Sequence, residues 1–497
     1  MYNSIKSRFL PVFLATLSGV ALAQITQVGV LEHDTKRGLH NFLMKVNDNI
    51  FALAYRGDGN DGTIKTFSIS ADGTSITQVA SLVHDDLSGL DNSLVRVNDN
   101  TIALAYRGHG NDGHITTFTI SADGTSITQL GSLEHDTEYA QYNSLVRVND
   151  NTIALAYRYD KADVTVGYIK TFTISADGAS ITQVGVLAHD TDQCYYNFLM
   201  KVNDDTYALA YKSAENDGTI TTFTISADGT SITKVASMVH DGSNGADNSL
   251  VRVKDDTYAL AYRGHGNDGT ITTFTISADG TSITKVASME YDTGMGGENS
   301  LVRVDDDTYA LAHKGLNKTG YIKTFTISAD GTSITQVHSL EHDDGAYKWL
   351  QNSLVKVDYD TYLLAYRDSD QEGYIKTFTI AGSNTHQPTV SSAPTVTTIE
   401  DTEYAFGISD FNLFDADGNA LDHIEITSLE SAGTLYLDAD NDATYDSGED
   451  VILNQDITAA NITLGLFRFA PVANANGSAI ATFAYKVNDG EHYSSSA

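Results

Sequence analysis

Residues 270–285 have the sequence Thr-Ile-Thr-Thr-Phe-Thr-Ile-Ser-Ala-Asp-Gly-Thr-Ser-Ile-Thr-Lys, in which Ala278-Asp279-Gly280 joins two runs of β-branched and aromatic residues. Asp-Gly between such runs is a strong hairpin signal, because glycine adopts positive φ angles without steric cost. The closing Ile-Thr-Gln/Lys segment occurs seven times, with its isoleucine at positions 25, 76, 127, 181, 232, 283 and 334. Seven copies, nearly all 51 residues apart, predict an all-β fold. We expect a seven-bladed β-propeller with one four-stranded blade per repeat.

The two ends of the repeat region predict a closed ring. The first copy begins with an outer strand at Ile25, and the last copy lacks its outer strand after Ile380. The N-terminal strand is therefore expected to complete the seventh blade, which removes the exposed edges of an open sheet. An open solenoid is the alternative, but it would need distinct capping repeats, and none is evident.

Composition suggests where the domains begin and end. Proline occurs only at positions 11, 388, 394 and 471, so the repeats contain none. We predict a signal peptide at 1–23, the propeller at 24–380, a semi-extended linker at 381–398 and a second β-rich module at 399–497.

Charge and the N-terminus point outside the cell. A net charge of −35 repels nucleic acid and anionic lipid, so neither is an expected partner. Lys6 and Arg8 precede a short apolar run that ends at Ala21-Leu22-Ala23, the pattern of a secretory signal peptide. No later segment is apolar enough for membrane insertion. The chain is expected to be secreted by, or displayed on, a Gram-negative bacterium.

Two loop families lie on one face of the predicted propeller. The first follows a His-Asp pair, or Tyr291-Asp292 in the sixth copy, and ends at an Asn. Its length is nearly constant while its sequence varies, which fits either a diversified contact surface or drift in an unconstrained loop. The His-Asp pairs are compatible with a transition-metal site, but a histidine hydrogen-bonded to its neighbouring Asp or backbone is the favoured interpretation.

The second loop family has the sequence Arg-Gly-x-Gly-Asn-Asp-Gly in three copies and variants elsewhere. Gly, Asn and Asp suit a simple turn, and their oxygens also suit calcium; the turn is the favoured interpretation. Aromatic residues in these loops are candidates for stacking on sugar rings, Trp349 above all. The candidate ligand-binding residues are Trp349, Tyr347, Tyr195, Tyr196, Arg107, Arg263, His109 and His265.

The C-terminal segment resembles a known family. Its motifs are Glu400-Asp-Thr402, Phe414-Asp-Ala-Asp-Gly-Asn-Ala-Leu421, Gly433-Thr-Leu-Tyr-Leu437, Phe469-Ala-Pro471, Ala473-Asn-Ala-Asn-Gly477 and Val487-Asn-Asp-Gly490. They resemble the bacterial cadherin-like (VCBS/RapA-type) modules. The resemblance implies a β-sandwich, here without its last strand, and an association with calcium and carbohydrate binding.

Within this module, Asp438, Asp440, Asp442, Thr444, Asp446 and Glu449 occupy positions 1, 3, 5, 7, 9 and 12 of a twelve-residue run. That is the ligand spacing of an EF-hand-type calcium loop, although Ala443 replaces the expected Gly and no flanking helices are predicted. An acidic surface loop is the alternative. Asp415 and Asp417 are a second, weaker candidate pair.

These patterns favour a calcium-stabilised extracellular binding or adhesion protein that recognises polysaccharide, surface glycans or a surface protein through one face of the propeller. Near-identical blades offer the same residues seven times, whereas catalysis needs an asymmetric set, so we expect that the chain is not an enzyme. The alternatives are a polysaccharide hydrolase or lyase that uses the irregular blades, and a purely structural surface or matrix protein.

Overall fold

The computed structural model describes residues 24–494 apart from 71, 162–163, 345–350, 359, 369, 381–387, 391–394, 400, 415–419, 478–480 and 491–492. The predicted signal peptide and most of the predicted linker lie outside the described residues. The described residues before position 381 form twenty-eight strands. They form seven antiparallel four-stranded sheets, which we number 1 to 7 in chain order.

The strand bounds are as follows. β1 is Ile25–Asp34. Sheet 1 contains β2 Leu39–Lys45, β3 Ile50–Arg56, β4 Gly62–Ile69 and β5 Ile76–Asp85. Sheet 2 contains β6 Leu90–Arg96, β7 Ile102–Arg107, β8 Gly113–Ile120 and β9 Ile127–Asp136. Sheet 3 contains β10 Tyr139–Asn149, β11 Thr152–Lys161, β12 Val164–Ile174 and β13 Ile181–Asp190. Sheet 4 contains β14 Tyr195–Lys201, β15 Thr206–Lys212, β16 Gly218–Ile225 and β17 Ile232–Asp241.

Sheet 5 contains β18 Ala246–Lys254, β19 Thr257–Arg263, β20 Gly269–Ile276 and β21 Ile283–Asp292. Sheet 6 contains β22 Gly297–Arg303, β23 Thr308–Lys314, β24 Gly320–Ile327 and β25 Ile334–Asp343. Sheet 7 contains β26 Ser353–Lys356, β27 Thr361–Arg367, β28 Gly373–Ile380 and β1. Short 3-10 helices lie at Asp58–Asn60, His109–Asn111, His265–Asn267 and Leu316–Lys318.

The sheets form a closed ring. β1 pairs antiparallel with β28, with Ile25 opposite Ile380, so the N-terminal strand completes sheet 7 as predicted. The first strand of each sheet contacts the first strand of the next, and β2 of sheet 1 contacts β26 of sheet 7. This arrangement, with the first strands innermost, is that of a β-propeller.

Alternating large and small residues on the second strand of each sheet explain how neighbouring sheets pack. On β19, Tyr258 and Leu260 are fully buried and pack against Ala208 and Ala210 of sheet 4. The intervening alanines of β19 face sheet 6, where they receive its large residues in the same way. A large face against a small face fills the space between sheets without voids, which is why this strand reads Tyr-Ala-Leu-Ala-Tyr.

Side-chain hydrogen bonds join the sheets at their Ala-Asp-Gly turns. A threonine hydroxyl from one sheet donates to the glycine carbonyl in the turn of the next, for example Thr222 to Gly280 at 2.7 Å. Thr377 makes the same bond to Gly73 and so links sheet 7 to sheet 1. The repeated turn is therefore a structural joint between sheets.

The C-terminal residues form three small sheets. Their elements are β29 Thr389–Val390, β30 Tyr404–Ala405, β31 Leu413–Phe414, β32 His423–Ser428, β33 Thr434–Leu437, β34 Asp456–Thr458, α1 Ala459–Thr463, β35 Phe467–Ala470 and β36 Ala484–Asn488, with a 3-10 helix at Ile408–Phe411. The sheets β30-β35-β33 and β34-β32-β36 share one hydrophobic core that includes Ile424, Leu435 and Phe467.

A short helix interrupts the strands of this module: α1 ends at Thr463, and β35 begins at Phe467. The helix forms because Thr458 is an N-cap: its hydroxyl accepts a hydrogen bond from the Asn461 N–H at 3.2 Å. None of the described helices is both long and apolar enough to cross a bilayer.

Candidate functional site: a ring of cations at one end of the propeller

The residue immediately before the recurring Asn has a left-handed backbone in all seven repeats. Its φ angle lies between 51° and 56°, and in sheets 1 to 6 it sits in a β-bulge between the first and second strands. Bulges and left-handed non-glycine residues are strained features that cluster at functional sites. We call this set the αL ring: His40, Asp91, Tyr142, Tyr196, Asp247, Glu298 and Gln351.

The recurring Asn holds this conformation in the preceding sheet. Its side-chain amide donates a hydrogen bond to the carbonyl of the αL residue one sheet earlier, for example Asn299 to Asp247 at 3.0 Å. Five further bonds of this kind join successive sheets. The αL residues are thereby linked in order around the innermost strands, at one end of the propeller axis.

A lysine or arginine lies beside this ring on the second strand of every sheet; it is the last residue of that strand except in sheet 3, where β11 continues from Arg158 to Lys161. In sheets 1 to 6 it pairs in register with the residue that precedes the αL residue. We call this set the cation ring: Arg56, Arg107, Arg158, Lys212, Arg263, Lys314 and Arg367. Burial, followed by the nearby charges of Arg37 and Arg107, lowers the pKa of Arg56, so neighbouring cations of the ring interact.

Ion pairs compensate only part of this positive charge. The αL ring supplies three carboxylates against seven cations. Arg107 Nε lies 2.9 Å from Asp91 Oδ2, and Arg263 Nε lies 3.0 Å from Asp247 Oδ2. Outside the αL ring, Asp160 Oδ2 lies 2.6 Å from a guanidinium nitrogen of Arg158. The ring is thus a concentrated positive region in a protein whose net charge is −35.

An aromatic section occupies sheets 3 and 4. The structure places Tyr195 and Tyr196 together there, in ring contact with each other and with Tyr142 of the αL ring. The Arg158 guanidinium lies 4.3 Å from the centre of the Tyr195 ring, a cation–π contact. Two predicted ligand-binding tyrosines therefore lie beside the cation ring.

A carboxylate section occupies sheets 5 and 6. Asp247, Arg263, Glu298 and Lys314 line a cavity of about 280 Å³ there. Burial, followed by the charge of Asp247, raises the pKa of Glu298 to about 7. Burial also raises the pKa of Asp247, against the opposing charge of Arg263. This section gives the ring an asymmetry that near-identical repeats did not lead us to expect.

Of the other predicted ligand-binding residues, Arg107 and Arg263 belong to the cation ring. His109 and His265 lie further out, in the 3-10 helices of the second loop family. His109 lines an open depression of about 590 Å³ with His84 and His114, and His265 Nδ1 lies 2.8 Å from Ser243 Oγ. Trp349 and Tyr347 lie outside the described residues.

The His-Asp pairs are structural, but not in the way expected. Within the described chain, both ring nitrogens of His240 lack a hydrogen-bond partner, so the favoured interpretation of a hydrogen-bonded histidine is wrong for it. Its ring instead packs edge-on against Tyr262 at 4.5 Å and covers Gly218. The adjacent Asp241 provides the polar contacts, accepting the N–H groups of Ser243 and Asn244 at the start of the loop.

This packing also constrains the loop whose sequence looked free. Its fourth residue after Asp is small in sheets 1 to 6: Gly38, Gly89, Ala140, Cys194, Gly245 and Gly296. Each approaches a glycine of the third strand of the preceding sheet, or of sheet 7 in the case of Gly38. The variation is thus confined to the other positions of the loop, which include the residues of the αL ring.

The predicted calcium loop is partly assembled. Ligand atoms of Asp438, Asp440 and Asp442 lie within 4.8 Å of one another, and no other such group occurs in the described ranges. Ala443 has the positive φ angle, 68°, for which an EF-hand loop uses Gly. Arg468 Nε lies 3.2 Å from Asp438 Oδ2 and competes for that carboxylate.

The remaining predicted ligands of this loop are used differently. Glu449 accepts the N–H groups of Ala439 and Asp446, at 2.7 and 3.0 Å, and so closes the loop. Thr444 donates its hydroxyl hydrogen to Asp442 at 2.7 Å. Asp446 lies outside the three-carboxylate group. The second candidate pair, Asp415 and Asp417, lies outside the described residues.

Comparison with known proteins gives matches in structure alone. No family model and no curated protein matches the sequence. A periplasmic gluconolactonase from Pseudomonas aeruginosa is similar with a TM-score of 0.50 and 13% identity, covering 67% of this chain and 96% of that one. A candidate 6-phosphogluconolactonase from Bacteroides fragilis gives 0.48 and 13%, covering 65% and 96%. The WD40 domain of Toxoplasma gondii coronin gives 0.47 and 10%, covering 73% and 90%.

At these identities the similarity concerns the fold, which is that of β-propeller proteins. It nevertheless contradicts the expectation that the chain is not an enzyme. The gluconolactonase is a hydrolase on a similar scaffold, so a repetitive propeller gives no ground for excluding catalysis.

Proposed function

We propose that this chain is an exported seven-bladed β-propeller that binds an anionic glycan at its cation ring. The observation that carries the proposal is the convergence of seven lysines and arginines, one from each sheet, at one end of the molecule. Carboxylate groups of uronic acids are the natural partners of such donors, since guanidinium groups bind carboxylates through two parallel hydrogen bonds.

Two further features support a sugar ligand. Tyr142, Tyr195 and Tyr196 present aromatic surface next to the cations, and stacking on a sugar ring needs such a surface. The acidic remainder of the protein repels polyanions, which directs an anionic chain toward the positive ring. A repetitive polymer also binds more tightly through several similar contacts, because linked weak contacts add to the overall affinity.

Binding of polyuronates should depend on the ring cations. We expect the full-length protein to bind polygalacturonate, alginate or hyaluronate, and to bind uncharged dextran at least 10-fold more weakly. Arg56→Ala combined with Arg367→Ala should weaken polyuronate binding about 10-fold or more, since each charged hydrogen bond contributes roughly 1.5–3 kcal/mol. Isothermal titration calorimetry at 50 and 300 mM salt measures this, and screening should weaken the wild-type interaction at the higher salt concentration.

The control is Lys254→Ala, which removes one positive charge from an exposed residue at the end of β18, away from the ring. It should bind as the wild type does. Equal affinity for dextran and polyuronate, or unchanged binding by the double variant, would contradict the proposal.

We also propose that calcium stabilises the C-terminal module through Asp438, Asp440 and Asp442. The support is the approach of three carboxylates in a loop with a left-handed residue at its sixth position. Carboxylate oxygens are the ligands that calcium prefers. The resemblance to cadherin-like modules is a further reason to expect calcium here, and we propose that the module belongs to that family.

Removing calcium should lower the melting temperature of this module. Binding at 100 times the dissociation constant stabilises a folded state by about 2.7 kcal/mol, which corresponds to several degrees for a small domain. Differential scanning calorimetry of the full-length protein in 5 mM calcium and in chelator should therefore show one transition that moves. Asp440→Asn with Asp442→Asn should abolish the difference, while Asp446→Asn should retain it. Identical wild-type curves in both buffers would show that the loop needs no ion.

A further inference from the structure

The carboxylate section combines two acids and several cations in one cavity. Asp247 and Glu298 occupy equivalent αL positions on adjacent sheets, and the Glu298 N–H donates a hydrogen bond to the Asp247 carboxylate. Arg263 and Lys314 complete the lining of this cavity of about 280 Å³. Its volume approaches the lower end of the range typical of small-molecule sites.

The two carboxyl groups have different environments. Asp247 is paired with Arg263 at 3.0 Å, and this ion pair opposes the rise in pKa that burial causes. Glu298 faces the charge of Asp247 and is buried, and both conditions favour its protonated form. Lys314 and Arg263 moderate this effect without reversing it. Two carboxyl groups in one cavity, one of them held by an ion pair, are an arrangement in which acid and base roles are divided between the two.

An arginine of the cation ring near Glu298 is a further candidate for contact with a ligand. Arg367 of sheet 7 is 8% exposed, and its charge reaches Glu298. Among the described residues, its Nε–H has no hydrogen-bond partner. Buried guanidinium hydrogens are nearly always bonded, so an anionic group of a ligand is the fitting partner for this one.

We propose that this cavity hydrolyses a glycosidic bond of the anionic glycan held at the cation ring, an inference that rests on the proposed function. Glu298 gives its proton to the glycosidic oxygen while the bond from that oxygen to the anomeric carbon breaks. A water molecule forms the new bond to the anomeric carbon and gives its proton to Asp247. One water is consumed, no electron is transferred, and solvent returns the proton from Asp247 to Glu298.

The cations have a separate task in this scheme. Arg263, Lys314 and Arg367 hold uronate carboxylates next to the bond that breaks, so that the polymer is positioned against the two acids. Tyr195 and Tyr196, on the neighbouring sheet 4, contact the sugars that follow along the polymer. Holding the polymer in this position raises the rate of cleavage, because the reacting groups no longer have to meet by diffusion.

The test measures cleavage and binding on the same samples. Full-length protein is incubated with polygalacturonate, alginate and hyaluronate, new reducing ends are counted, and calorimetry reports affinity. We expect cleavage of at least one polymer. Glu298→Gln and Asp247→Asn should each lower the rate 100-fold or more, in line with losses of general acid–base groups, while affinity changes less than 5-fold. Asp204→Asn, in an exposed turn, is the control that should cleave normally.

The outcomes separate the two proposals. Polymer that binds but yields no new reducing ends overturns the hydrolytic inference and leaves the binding function standing. Cleavage that survives both Glu298→Gln and Asp247→Asn overturns it as well. Absence of binding to all three polymers overturns both. Retained affinity in the two variants also shows that they fold.

Discussion

The protein is expected to lose most of its stability between about pH 6.5 and pH 4.5. Burial, the largest cause, lowers the pKa of His33, His189, His240 and His342 to about 3, and that of His84 to about 4. In the unfolded chain these groups titrate near pH 6.5. Their contribution to stability is therefore complete above pH 6.5 and is lost as the pH falls toward the folded-state values.

The size of the effect follows from the number of histidines. Each buried histidine lowers the free energy of unfolding by about 1.4 kcal/mol per pH unit in this window. The sum over several histidines approaches the roughly 5–15 kcal/mol that stabilises a typical domain. Urea unfolding followed by circular dichroism from pH 7.5 to 4.5 measures the loss. A free energy of unfolding that stays constant down to pH 5 would show that the buried histidines are not the cause.

The chain itself provides a control for this experiment. Between sheets 5 and 6 the usual pair is exchanged: Tyr291 of β21 takes the place of the histidine and His313 of β23 that of the tyrosine, with the same edge-on contact at 4.9 Å. His240→Tyr with Tyr262→His copies that exchange and should retain the wild-type pH dependence. His240→Phe removes one titrating group, so its slope should be smaller by about 1.4 kcal/mol per pH unit.

Much of the propeller was predictable because its determinants are local and repeated. The sequence Ala278-Asp279-Gly280 predicts the hairpin turn that the structure contains. In the same way, the alternation around Leu260 predicts a buried second strand, and the extra strand at Ile25 predicts the closure of the ring. Burial of the histidines was not predictable in the same way. Whether His240 bonds to a neighbour or packs on a glycine depends on contacts between β16 and the loop after β17, and no local pattern reports them.

The site was predictable only in part. Arg107, Arg263, Tyr195 and Tyr196 were chosen from loop composition, and all lie at or beside the cation ring. A lysine or arginine begins the second loop family in every repeat, but the sequence does not show that these seven cations meet at one end of the propeller. The αL ring was out of reach, because the Asn that holds each residue in the left-handed conformation comes from the next sheet, about 52 positions away.

Gly218→Ala is expected to destabilise the propeller by about 3 kcal/mol, the upper part of the range for overpacked sites. A Cβ atom at this position would lie 2.4 Å from His240 Cε1 and 2.9 Å from Gly245 Cα. The histidine ring is wedged against Tyr262 and cannot retreat without breaking that contact. Urea unfolding at pH 7.5, where histidine titration plays no part, measures the loss.

Gly242→Ala is the matched control, since the added Cβ would meet nothing within 4 Å and the loop is the same. It should change stability by less than about 0.5 kcal/mol, as exposed substitutions usually do. Equal stability of the two variants would mean that the glycine at the start of the third strand is dispensable. The repeats argue otherwise: position 245 has Ala140 and Cys194 as counterparts, whereas the counterparts of Gly218 are glycine in all seven sheets. An added methyl group is therefore tolerated at the loop position equivalent to Gly245. The position of Gly218, which faces the histidine, must have no side chain if neighbouring sheets are to approach each other.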